Sequence, residues 1–349
     1  MIGKGALRAA ARLAAIGVAM ATALGADAAR AACQVTILLE LPVSLVAQKI
    51  VVPAKIGGTD TTLILDTGAF FNGLTPASAQ RLGLQGKLVP PSLKIGGPKG
   101  TGWRVATVPE LTLGGVSLRK IDFLIGGGIA EVGAAGRIGQ NMFAGADMEL
   151  DLAHGKVRIL KAAGCQGRDL AYWAGAAAVS DVALDPFTPS WPQPRGMVMI
   201  NGTPIHLMFD TGAQRSHLSR AAALKAGVDL SPDKVRPQGS LRRVVDGQLL
   251  PVVEASVGRV QLGEARATDV PMLVTDVATA GYEGLIGLDF FLAHRVVIDR
   301  AHARLYFTSE EGRLFADAAT MAAADVRPSD ATPAGQRLPK AAPATPPAP

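Results

Sequence analysis

Two stretches of this chain follow one hydrophobic rhythm. In the first, a short strand meets a turn at Gly57-Gly58, and the apolar strand that follows ends in the block Asp66-Thr67-Gly68-Ala69. In the second, the turn is Asn201-Gly202 and the apolar strand ends in Asp210-Thr211-Gly212-Ala213. Strand, turn and strand in this order predict a hairpin in each half. A helix is expected soon after each block. Thr75 and Ser219 are suitable N-caps, Pro76 suits a first helical position, and Gly83 and Gly227 suit the stops. Strands then resume.

The similarity extends beyond the blocks. With a shift of 144, residues 56–118 align without a gap on residues 200–262, pairing Gly58-Thr59 with Gly202-Thr203, Glu110 with Glu254 and Gly114 with Gly258. Farther on the shift becomes 148, pairing Ile138-Gly139 with Ile286-Gly287, Phe143 with Phe291, Asp151 with Asp299 and His154 with His302. A period this long, present twice, indicates a duplicated domain rather than a solenoid, which needs at least three short units. The organisation expected is a first lobe over 32–160, a connection rich in Gly and Pro over 161–194 and a second lobe over 195–310. A disordered tail rich in Ala and Pro is expected over 325–349.

Composition sharpens this in three respects. Forty glycines and an aromatic fraction of 5% suit a β-rich chain with many tight turns. Residues 1–31 read as an export signal, with Lys4, Arg8 and Arg12 ahead of an apolar run from Leu13 to Leu24 and a small-residue site at Ala29-Arg30-Ala31. Arg30 stands where a lipidation box carries an aliphatic residue, so ordinary cleavage and a periplasmic or secreted product are expected, with no stable membrane span. The formal charge of +6 includes four cations and one anion of that segment, so the remainder carries about +3 without a polybasic cluster, and nucleic acid is not an expected partner. In an oxidising compartment Cys33 and Cys165, the two cysteines, are expected to form one disulfide.

The repeated block carries the chemistry. An aspartate followed by Thr and Gly at the end of an apolar strand is a carboxylate on a turn that backbone amides can approach closely. If the halves pack about a pseudo-twofold axis, Asp66 and Asp210 meet on it, two like charges resist ionising together, and one proton is shared. The charged member can act as general base on a water while the protonated member donates to a substrate carbonyl. Five histidines without a His-Glu-x-x-His spacing, and two cysteines, offer no zinc box, so neither metal nor cofactor is expected. His154, His302, Asp151 and Asp299 read as repeated turn formers.

These blocks, with Arg137-Ile138-Gly139 and Leu285-Ile286-Gly287 downstream, resemble the pepsin and retropepsin aspartic peptidases from about residue 35 to 308. Arg137 departs from the family's usual apolar residue. The resemblance implies a mainly β fold of two similar retropepsin-like β-barrel lobes related by a pseudo-twofold axis, with a short helix in each. It implies Asp66 and Asp210 as catalytic, Thr67 and Thr211 as hydroxyl braces between the turns, and Gly68 and Gly212 as points of close approach. The family's flap corresponds to Lys94–Thr107, with Trp103 as a candidate substrate cover, and Asp246-Gly247 suggests a second hairpin flap. Ala69 and Ala213, lacking the hydroxyl of many secreted members, imply activity in a mildly acidic range. The expected protein is thus an endopeptidase acting on peptide or protein substrates as a monomer with an internal pseudo-dimer. A noncatalytic peptide-binding envelope protein with the same fold is the competing reading.

Overall fold

Tight turns set the hairpins that build each half. Gly57 and Gly58 have φ of 56° and 81°, and Asn201 and Gly202 have φ of 50° and 83°, so both loops place two successive residues in the left-handed region. Such two-residue loops match the right-handed twist of the strands they join. Strand Lys49–Ile56 accordingly pairs with Thr59–Leu65, and Arg195–Ile200 pairs with Thr203–Phe209, each directly across its turn. The computed structural model describes residues 33–89, 102–126, 133–165, 167–242, 248–276, 281–310 and 312–324.

Each hairpin grows into a closed ring. In the first half the order is Lys49–Ile56, Thr59–Leu65, Gly136–Ile138, Gly73–Leu74, Val116–Ile125 and Arg104–Leu113, which returns to Lys49–Ile56. The second half repeats this with Arg195–Ile200, Thr203–Phe209, Gly284–Ile286, His217–Ser219, Ala265–Thr275 and Leu249–Leu262. The protein is therefore mainly β, with two six-stranded barrels whose edges are removed by closure. A short helix follows the block in each, Pro76–Arg81 and Arg220–Lys225. The hydroxyls of Thr75 and Ser219 accept from the amides of Ser78 and Ala222, and Gly83 and Gly227 turn left-handed at the ends.

A third sheet joins the halves. Its order is Gln34–Pro42, Lys156–Ala163, Asp147–Asp151, His294–Asp299, Arg304–Ser309 and Ser180–Ala183, and the pairing of Asp147–Asp151 with His294–Asp299 crosses from one half to the other. The connection over 161–194 is thus less irregular than its Gly and Pro content suggests, because Ser180–Ala183 finds the open edge of Arg304–Ser309. Glu149 is fully buried in this sheet between Arg158 of its own half and Arg295 of the other. His154 and His302 pair with Asp151 and Asp299 three residues before them, as repeated turn residues should.

Gln34 lies opposite Ala163, which brings the residues beyond them together, and Cys33 and Cys165 are disulfide-bonded there. The bond fits an oxidising, extracytoplasmic compartment. Beyond the last sheet strand, helix Ala318–Ala324 buries Met321; it lies between the expected second lobe, ending at 310, and the expected tail from 325. The proposed signal over 1–31 and tail over 325–349 lie outside the described residues, as do Asp246 and Gly247.

Candidate active site

Asp66 and Asp210 directly follow the equivalent strands Thr59–Leu65 and Thr203–Phe209, each of whose last three residues is buried. Each turn is anchored behind by the downstream apolar-apolar-Gly element. The amide of Asp66 donates to the Ile138 carbonyl at 3.1 Å, and that of Asp210 to the Ile286 carbonyl at 2.8 Å. Gly139 and Gly287 are glycine because the backbones of Phe71 and Arg215 pass within 2.6 and 2.5 Å of where a Cβ would stand. Their amides donate to Asn72 Oδ1 and Ser216 Oγ, which occupy equivalent positions of the repeat.

The two turns then lock to each other. The Thr67 amide donates to Thr211 Oγ1 and the Thr211 amide to Thr67 Oγ1, while each hydroxyl donates to a carbonyl of the opposite strand, Phe209 or Leu65. All of these groups are buried, so the bonds operate without competition from water. They bring the turns of Asp66 and Asp210, 8% and 9% exposed, against each other. The glycines matter here too: a Cβ on Gly68 would overlap the Asp210 carboxyl, and one on Gly212 would stand 2.5 Å from Asp66 Oδ1.

Two carboxyl groups this close cannot both ionise freely. Burial, then the charge of Asp66, pushes Asp210 up to about 7. Backbone donors remain on each: Ala69 N to Asp66 Oδ1 at 2.9 Å, and Gly212 N to Asp210 Oδ1 at 2.7 Å. Beside Asp66, Asp210 therefore retains its proton to a higher pH than an ordinary aspartate.

Around this symmetric frame stand groups that are not symmetric. Arg137 Nη1 is 3.1 Å from Asp66 Oδ2, whereas its counterpart in the repeat is Leu285. Lys49 reaches across from the first lobe to donate to the carbonyl of Gly212, and its charge acts on Asp210; its counterpart is Gln193. The phenol of Tyr282 is raised by burial and then by the charge of Asp210. Sequence reading noted Arg137 only as a departure and passed over Lys49. The usable signal for both was a charged residue at a position where the other copy has none.

Trp103 is half-buried and lies over Gly126, where any side chain would enter its ring. Gly126 follows strand Val116–Ile125, outside the hairpin that carries Trp103. The Cys33–Cys165 bond lies at the end of the sheet that joins the lobes, beside the Gln34–Ala163 pair.

The sequence profile of the family described as aspartyl protease matches residues 52–142 and 197–290, one segment per barrel and together more than half of the chain. No curated protein matches the sequence significantly. Among solved structures, the aspartic proteinase from Irpex lacteus aligns with a TM-score of 0.44 at 11% identity, covering 82% of this chain and 100% of its own. Basic 7S globulin from soybean aligns with a TM-score of 0.42 at 13% identity, covering 80% and 99%. A retropepsin-like aspartic protease from Rickettsia conorii covers 38% of this chain and 95% of its own, with a TM-score of 0.28 at 18% identity.

Proposed function

The chain belongs to the aspartyl protease family, and from that premise we propose that it is an endopeptidase in which Asp66 and Asp210 together activate a water molecule against a peptide bond. The observation that carries the proposal is the placement of two buried carboxyls on equivalent turns that are bolted to each other through Thr67 and Thr211, so close that a Cβ on Gly68 or Gly212 would strike the carboxyl of the opposite turn. Such rigidity is what acid–base catalysis needs, since small misplacements are costly.

In the proposed cycle the charged carboxylate takes a proton from water as the water oxygen bonds to the substrate carbonyl carbon. The protonated partner gives its proton to the carbonyl oxygen, so a neutral gem-diol forms and the negative charge passes from one aspartate to the other. In the second step the newly protonated aspartate gives its proton to the amide nitrogen as the C–N bond breaks. The other recovers a proton from the gem-diol, and the dyad returns to its starting state.

Both carboxyls come from one chain, so a monomer suffices for the reaction. The disulfide supports an oxidising compartment, and with residues 1–31 read as an export signal we assign the protein to the periplasm or the exterior. The test is incubation of the purified, disulfide-intact protein with a diverse peptide library beside its Asp66→Asn and Asp210→Asn variants. Cleavage that falls about 10²–10⁴-fold in both variants supports the reading. Peptides bound but uncut by the wild type would replace it with the noncatalytic one, and products unchanged in the variants would reveal a contaminant.

A further inference from the structure

We infer that Arg137 is a positioning residue that holds the negative charge of the resting dyad on Asp66 and leaves the proton on Asp210. The catalytic consequence rests on the peptidase reading above; the charge assignment rests on geometry alone.

Two identical turns facing each other across an axis would share one proton without preference. Among the described residues, Arg137, Lys49 and Tyr282 are charged or titratable groups that act on this pair, and they are not distributed evenly. Arg137 lies in strand Gly136–Ile138, the strand that runs parallel beside Thr59–Leu65, so its side chain leaves the sheet next to the turn that bears Asp66. There it makes a direct ion pair, 3.1 Å from Asp66 Oδ2, with the carboxylate side chain 11% exposed. Lys49 opposes this by acting on Asp210, but its ammonium is spent on the Gly212 carbonyl rather than on the carboxylate. Coulomb energy falls with separation, so direct contact outweighs the more distant charge. Tyr282, a neutral phenol, adds no charge that reverses the order.

The raised Asp210 agrees with this division. It also assigns the roles: Asp66 draws the proton from water, and Asp210 donates to the carbonyl oxygen. When the charge passes to Asp210 during attack, Lys49 is the cation on that side. The asymmetry is written in the chain, because the second copy carries Leu285 and Gln193 where the first carries Arg137 and Lys49. A homodimer of identical halves could not encode it.

The experiment is carboxyl-carbon NMR of the full chain labelled at aspartate, near pH 6, for the wild type and for Arg137→Leu, Arg137→Gln and Arg137→Lys. The Asp66→Asn and Asp210→Asn variants assign the signals, and circular dichroism confirms folding of each protein. The wild type and Arg137→Lys are expected to show Asp66 charged and Asp210 protonated. In Arg137→Leu and Arg137→Gln the two signals should converge, as for a shared proton. The acid limb of the peptide-cleavage profile should also rise by about one pH unit in those two variants, because the singly charged dyad has lost its counter-charge. Equal or reversed charge states in the wild type, or signals unmoved in whichever neutral variant folds, would overturn the inference. If the wild type cleaves no peptide, the peptidase reading fails while the NMR still decides where the charge sits.

Discussion

The amide of Thr67 donates to the hydroxyl of Thr211 at 3.0 Å, and the amide of Thr211 donates to the hydroxyl of Thr67 at 2.9 Å, so the two halves of the chain each complete the other's turn. Both threonines are fully buried, and each hydroxyl also donates to a carbonyl of the opposite half, so neither can be lost without stranding buried partners. Thr67→Val should destabilise the protein by about 1–3 kcal/mol through the unpaired Thr211 amide and Phe209 carbonyl. The double variant Thr67→Val/Thr211→Val should cost less than the sum of the singles, since both belong to one network. Denaturant unfolding checks both numbers; strict additivity would show that the bonds are not coupled.

Gly212→Ala places a methyl group 2.5 Å from Asp66 Oδ1, and relief requires the dyad to spread. The barrel around it has no comparable conflict. Peptide cleavage should therefore fall by about a hundredfold, the scale of an ångström misplacement, while circular dichroism stays that of the wild type. Retention of full kcat would mean that the carboxyls tolerate separation.

The features that repeat were legible in the sequence, and of those that occur once the Cys33–Cys165 bond was legible because the chain has only two cysteines. Gly57-Gly58 and Asn201-Gly202 demand the same tight turn, and the caps at Thr75 and Ser219 act through local hydrogen bonds, so short-range chemistry was enough. The meeting of Asp66 with Asp210 followed from packing like against like. By contrast, the joining sheet depends on Leu150 finding Val296, a pairing across distant segments that no local rhythm encodes. Arg137 and Lys49 were illegible as partners for a related reason: a side chain's direction across an interface depends on how the lobes dock. Trp103 beside a glycine-rich tip suggested a cover for substrate; its ring lies on Gly126, just past strand Val116–Ile125, and the tip over residues 94–101 lies outside the described residues.

Glu149 holds the joining sheet together by charge. Arg295 donates to its Oε1 at 2.9 and 2.7 Å and Arg158 at 2.5 Å, with the Tyr172 hydroxyl on its other oxygen. Removing the carboxylate leaves two guanidinium groups facing each other with one fewer anion between them. Glu149→Gln should lower stability by about 3–5 kcal/mol, the usual consequence of breaking a buried pair from one side. A loss under 1 kcal/mol in equilibrium unfolding would show that Asp151 and Glu40, which also face Arg158, suffice.

The Cys33–Cys165 bond closes a loop of 132 residues around the first barrel. Its removal in Cys33→Ser/Cys165→Ser should reduce stability by about 2–5 kcal/mol, chiefly by freeing the unfolded chain. The dyad is held by other bonds, so kcat/KM below the unfolding temperature should be unaffected. Thermal unfolding and peptide assays on the same samples separate the two effects, and a parallel loss of activity in the folded variant would tie the bond to the site.

Asp210 also makes stability depend on pH, with a sign that can be worked out. Its ordinary value is 3.8, which the unfolded chain will show, whereas burial and then the charge of Asp66 push it up to about 7 in the folded protein. Between these values the folded state holds a proton that the unfolded state has released. Stability must therefore fall as pH rises from about 4 to about 7, and level off beyond, by proton linkage. Peptide hydrolysis should lose its upper limb over the end of the same interval, because the proton Asp210 gives to the carbonyl oxygen leaves there. This agrees with the mildly acidic range expected from Ala69 and Ala213, which offer no hydroxyl to either carboxylate. Asp210→Asn keeps a neutral group of the same shape in place, so it should lower activity by the same factor of about 10²–10⁴, flatten the decline in stability, and be more stable than the wild type at pH 8. Urea titrations of both proteins at pH 4, 6 and 8 make the comparison. A wild type that gains stability across this interval, or a variant that keeps the same slope, would show that Asp210 does not retain its proton when the lobes close upon it.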